Sequence, residues 1–118
     1  MRMVQTILFV EDVARMQAFY QGALGLPVIT EEPGWVRLDA GGAVLALHAI
    51  KPGPARPSPQ PERVDSYVKL CFHVDDIDAA RATLTSAGVR MRDIHRHGAA
   101  AFCDGIDPEG NIFQITTR

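Results

Sequence analysis

The sequence predicts an α+β fold assembled from two tandem βαβββ modules. Three observations carry that prediction. Phe9-Val10-Glu11-Asp12-Val13 returns as His73-Val74-Asp75-Asp76-Ile77, each copy closing an alternating, strand-like run and opening a helix-like one. A second echo sets Asp39-Ala40-Gly41-Gly42-Ala43-Val44-Leu45 against Asp107-Pro108-Glu109-Gly110-Asn111-Ile112-Phe113. Between the halves, Pro52, Pro54, Pro57, Pro59 and Pro61 crowd one short stretch. A repeat of this size implies two similar modules, with a ligand pocket expected where they face each other.

The elements follow in order. Residues 4–10 alternate, with Val4, Thr6, Leu8 and Val10 on one face and Gln5, Ile7 and Phe9 on the other. Asp12 is placed to cap a helix, its carboxylate accepting from the first-turn amides. Met16, Phe19, Tyr20, Ala23 and Leu24 then fall on a single helical stripe, and Gly25 supplies the left-handed residue that ends it. Strands are predicted at 26–31, 35–39 and 43–50, separated by Pro33-Gly34 and Gly41-Gly42. The second half repeats the order. A strand is expected over 67–74, and Asp76 caps a helix whose stripe is Ile77, Ala80, Leu84 and Ala87, closed by Gly88. Strands follow at 89–95, 99–103 and 111–117, with Asp107-Pro108-Glu109-Gly110 as the last turn. The chain is read as one domain, 1–118, with a module at 1–50, an extended proline-rich linker at 51–63 and a module at 64–118.

Bulk properties narrow the function classes. A chain of 118 residues can bury roughly 65% of its unfolded surface in one core. Its 47% hydrophobic and 22% charged residues are ordinary for a globular protein. A net charge of -2 gives no electrostatic reason to expect nucleic acid or an anionic membrane as partner. No apolar run approaches a membrane span, and the opening residues alternate too early for a signal peptide. Cys71 and Cys103 lack metal-site spacing and suit a reducing compartment, so a cytoplasmic location is expected.

A sheet covered by one helix buries one face of every strand and leaves the other for a partner or ligand. Over 67–74 the helix face is Val68, Leu70, Phe72 and Val74, which leaves Lys69, Cys71 and His73 opposite. Over 43–50, Leu45 and Leu47 face the helix, and Val44, Ala46 and His48 face away. The same alternation puts Gln5, Trp35, Arg37 and Gln114 on the uncovered faces. Gln5, Trp35, Arg37, His48, Lys69, His73 and Gln114 are therefore the candidate ligand-binding residues. Polar groups on a sheet face need partners, and mixed aromatic and polar linings are typical of small-molecule sites. The acidic pairs Glu11-Asp12 and Asp75-Asp76 stand where helix caps belong. His95-Arg96-His97 reads as an exposed hairpin end.

Paired βαβββ modules carrying Val10-Glu11-Asp12-Val13, Phe19-Tyr20, Leu24-Gly25-Leu26 and Asp107-Pro108-Glu109-Gly110-Asn111 resemble the vicinal oxygen chelate superfamily. That group includes glyoxalase I, extradiol dioxygenases, and bleomycin- and fosfomycin-resistance proteins. The resemblance covers essentially the whole chain. It implies a curved, half-barrel-like mixed sheet around a cavity with the helices outside, and a homodimer. It also implies metal seats on the first, fourth, fifth and eighth strands, which match Gln5, Ala46, Lys69 and Gln114. Ala46 has no donor atom, Lys69 brings a cation, and the two glutamines are neutral where divalent ions want carboxylate, imidazole or thiolate.

No cofactor is therefore expected, and the first reading is a metal-independent protein that binds a polar or anionic ligand, aromatic ones included. The alternative is a glyoxalase- or dioxygenase-like enzyme holding one divalent metal ion through non-standard ligands around His48 and His73. A metal-free isomerase or lyase using either histidine as general base is a third possibility.

Overall fold

The computed structural model describes residues 1–50 and 53–118. Lys51 and Pro52, at the start of the proline-rich segment, lie outside the described residues. The chain folds as two compact units, Met1–Ser58 and Pro59–Arg118, and each follows the predicted β-α-β-β-β order.

In the first unit, β1 (Gln5–Val10) leads to α1 (Val13–Gln17), followed by β2 (Val28–Glu32), β3 (Trp35–Asp39) and β4 (Val44–Ala49). The strand order is β1-β4-β3-β2, with β1 parallel to β4 and the remaining pairs antiparallel. The return through the helix is what permits the parallel pair. Alternation decides which side α1 covers: Val36, Leu38, Leu45 and Leu47 are buried, together with Val10 and the helix residues Met16 and Tyr20. Each such side chain contributes about 1.5–3 kcal/mol by leaving water. The Asp12 carboxylate accepts from the Arg15 amide at 2.9 Å, the expected cap.

The helix departs from the regular stripe that the spacing predicts. From Ala18 to Ala23 the turns widen to π geometry, with the Leu24 amide donating to the Phe19 carbonyl at 3.3 Å. One extra residue per turn rotates the positions after Tyr20 away from the core line. Met16 and Tyr20 are fully buried, whereas Ala23 and Leu24 are only half-buried. Gly25, at φ +72°, ends the element as expected.

The second unit comprises β5 (Leu70–His73), α2 (Ile77–Ser86), β6 (Arg90–His97), β7 (Ala100–Ile106) and β8 (Ile112–Thr116). Its order, β5-β8-β7-β6, repeats the first sheet, and β5 and β8 are the parallel pair. Asp76 caps α2 through the Ala79 amide at 3.0 Å. Ile77, Leu84, Val89, Ala101, Cys103, Phe113 and Ile115 form the core.

Two strand ends differ from expectation by three residues, the others by two at most. β5 is shorter than 67–74, because residues before Leu70 have no ladder partner in β8; Tyr67 is fully exposed and Val68 is 70% exposed, so Val68 does not join the helix face. β7 runs past Cys103 to Ile106, since Asp104, Gly105 and Ile106 continue the ladder with β8. Residues 60–63 do not hang free. The Gln60 and Arg63 amides donate to the Pro108 and Gly110 carbonyls at 2.9 and 2.8 Å, and Arg90 reaches the carbonyls of Gln60 and Asp107. This clasp fastens the end of the proline-rich segment to the last turn.

Candidate functional site

The face of each sheet turned away from its helix carries the chemistry. In the first unit, cross-strand register brings Phe9, His48 and Trp35 into one row across β1, β4 and β3. The His48 ring lies 5.5 Å from Phe9, tilted, and 5.1 Å from Trp35, edge-on. One step along, Ile7, Ala46 and Arg37 form the next row. Ala46 is fully covered although it faces away from α1, and it is the smallest side chain of the two rows. The Gln5 amide oxygen accepts from Arg37 Nε at 3.1 Å. Arg37 is half-buried and pairs with no acidic side chain among the described residues. Asp39, the next outward residue on β3, turns to the β3–β4 connection, where its carboxylate accepts from the Gly41 amide at 2.8 Å.

The second unit repeats the layout with opposite charge. In the ladder, Asp104 stands opposite Gln114 as Arg37 stands opposite Ala46, and Lys69 holds the place of Gln5. Lys69 Nζ donates to both carboxylate oxygens of Asp104, at 3.1 and 3.0 Å, and Gln114 donates to the same carboxylate at 3.0 Å. Arg92 approaches Asp104 at 3.9 Å while pairing with Glu62. Cys71 Sγ sits 3.9 Å from the Gln114 amide oxygen. The cation of this face is thus answered within the unit, while the cation of the first is not. His73 stands apart from the cluster, 59% exposed and 4.0 Å from Asp75. His95 stacks on Phe102 at 5.4 Å and lies on an exposed hairpin arm.

The structure therefore joins Gln5 with Arg37, Trp35 with His48, and Lys69 with Gln114. Two contributors escaped the sequence reading. Alternation puts Phe9 on this face without marking it as a contributor, and Asp104 lies beyond the expected end of its strand. The signal for Asp104 is the alternation Ala101, Cys103, Gly105 against Phe102 and Asp104, legible once the strand extends past Cys103.

A sequence model described as the Glyoxalase/Bleomycin resistance protein/Dioxygenase superfamily matches residues 2–115. The chain belongs to this superfamily. Solved structures agree with its fold. SMU.1112c superposes with a TM-score of 0.79 at 22% identity, covering 98% of both chains. Lactoylglutathione lyase from Agrobacterium tumefaciens gives 0.73 at 21% identity, over 98% of this chain and 92% of its own. TnmS3, an antibiotic binding protein from Streptomyces sp. CB03234, gives 0.71 at 22% identity, over 98% and 93%. No curated protein matches the sequence.

Membership raises the question of a metal at the superfamily's seats, and the residues present do not fit one. Ala46 offers no donor, the Gln5 oxygen already accepts from a guanidinium, and Lys69 sets an ammonium where a divalent ion would bind. The nearby carboxylate, Asp104, is engaged by that ammonium. Among the described residues, no three His, Cys, Asp or Glu side chains gather as a metal site. No helix of the described residues is long and apolar enough to cross a membrane.

Proposed function

We propose that this superfamily member is a metal-independent small-molecule binding protein, taking a polar or anionic ligand on the faces its helices leave uncovered. The observation that carries the proposal is the Gln5–Arg37 pair. A half-buried guanidinium that is oriented by an amide and pairs with no carboxylate among the described residues is arranged for an anion from outside. The aromatic row beside it adds a surface on which a flat group can lie. The self-paired Lys69, Asp104 and Gln114 support the same reading by filling with protein charge the place where a metal's ligands would stand. The antibiotic-binding relative supports a binding role only by analogy of fold.

The proposal includes a homodimer, which the resemblance implies and which light scattering on the purified chain would test. Two free thiols, Cys71 exposed and Cys103 buried, support a reducing cytoplasmic setting. Titration calorimetry of chelator-treated protein against small antibiotics, neutral aromatics and aromatic acids tests the function. Saturable heat with at least one class is expected, and its absence across the panel overturns the proposal. The enzyme alternative around His48 and His73 gains little from the rings' neighbours, since Phe9 and Trp35 bring His48 no metal donor and His73 is 59% exposed with Asp75 at 4.0 Å.

A further inference from the structure

We infer that the ligand of the first unit's open face is an aryl monocarboxylate, its carboxylate held by Arg37 and its ring laid on the Phe9–His48–Trp35 row. The inference rests on the small-molecule binding reading and narrows it to one chemical class. Four observations lead there.

Arg37 gives its Nε to Gln5 at 3.1 Å, which fixes the plane of the guanidinium and leaves the two terminal nitrogens for an acceptor. That edge matches a planar carboxylate bidentately. Among the positions of β1, β3 and β4 on this face, Arg37 is the one guanidinium or ammonium; the one carboxylate, Asp39, is turned to the Gly41 amide at 2.8 Å, and Glu32 of β2 stands opposite Trp35 in register. One cation neutralises a single negative charge, so a monoanion is favoured over a phosphate dianion, which needs a second donor of charge.

The repeat makes the contrast internal. At the corresponding place in the second unit, Lys69 and Asp104 cancel within 3.0–3.1 Å, so that face has no charge left to recruit an anion. The first face differs by having Gln5 and Arg37 at those places.

The ring site follows from register. Trp35 and Arg37 are two residues apart on β3, so the aromatic row and the cation lie roughly 6.7 Å from each other along the strand. An aryl ring with its carboxylate attached directly or through one or two carbons spans that interval. Phe9 is 56% exposed and His48 is exposed, so the row is open to a ring.

Trp35 is the chain's single tryptophan, so its emission reports on this face directly. The test titrates the full chain with benzoate, phenylacetate and 3-phenylpropionate, then with phenylacetamide and cyclohexylacetate, following Trp35 fluorescence and heat in parallel. At least one aryl acid should perturb the emission saturably. The amide should bind about 10-fold or more weakly, because it forfeits a charge-assisted bidentate contact. Arg37→Gln should lose about 10–100-fold in affinity for the acid, Arg37→Lys less, and Gln5→Ala only a few-fold, since Gln5 positions rather than binds. Circular dichroism of each variant separates lost binding from lost fold, and Arg37→Lys keeps the test alive if Arg37→Gln unfolds. Equal affinity for acid and amide, or acid binding untouched by Arg37→Lys and Arg37→Gln, overturns the inference. Concentration-dependent burial of Trp35 with no effect of the acids also overturns it, by giving the face to a second copy. Binding of polar antibiotics alone would leave the general reading standing, whereas binding of neutral aromatics alone would remove both. Failure of every compound in both panels removes both.

Discussion

At the residue scale, the two cysteines show how position sets chemistry. Cys103 is fully buried in the second core, and desolvation pushes its thiol pKa up from the ordinary value. Cys71 is exposed on the opposite face. Alkylation of the native protein at mildly basic pH should therefore modify Cys71 quickly and Cys103 only after denaturant is added, as mass spectrometry of the two peptides would show. The raised Cys103 value also has a sign for stability. The folded state holds the proton more tightly, so this contribution is present below the unfolded thiol pKa and is lost as pH rises toward the folded one. The Lys69–Asp104 pair is a different case. Lys69 is 40% exposed and Asp104 18%, so solvent screens their attraction. A double-mutant cycle with Lys69→Met and Asp104→Asn should give a coupling below about 1 kcal/mol. The pair's consequence lies in the charge it cancels, more than in the stability it adds.

At the element scale, the strands and caps were the legible part of the sequence. Asp12 and Asp76 cap as their positions before apolar stripes implied, and alanine at either should cost about 1 kcal/mol in chemical denaturation. The widened turns after Ala18 were not legible, because an i, i+3, i+4 stripe through Tyr20 reads the same whether the next turn closes on four residues or five. The ends of β5 and β7 were missed because ladder length depends on the partner strand, which periodicity within one segment does not reveal. Glycine substitutions separate local from tertiary constraint. Gly25 is left-handed at φ +72° with open space around it, so Gly25→Ala should cost roughly 1–2 kcal/mol. Gly110 is also left-handed, at φ +84°, and a Cβ there would meet the Pro61 carbonyl oxygen at 2.1 Å. Gly110→Ala should therefore destabilise clearly more than Gly25→Ala, and it should expose the 60–63 segment to proteases.

At the scale of the whole molecule, the repeat predicted the architecture because turns, caps and apolar alternation are local and duplicated together. The candidate site was less legible. The alternation placed Gln5, Trp35, Arg37, His48, Lys69 and Gln114 on uncovered faces, but no single-segment signal says which cation is answered. That depends on Asp104, two strands away from Lys69 in the sheet. The outcome is a superfamily member in which the same repeated positions hold Gln5 with Arg37 in one unit and Lys69 with Asp104 in the other. In neither unit do the residues at the expected metal seats offer a divalent ion what it needs. Ligand binding is proposed to proceed without metal. Its most direct test is the affinity for the best ligand, measured by calorimetry before and after exhaustive chelation, with elemental analysis of the same samples. Unchanged affinity and no stoichiometric transition metal are expected; affinity lost on chelation and restored by adding Ni, Zn, Mn or Fe would overturn the proposal.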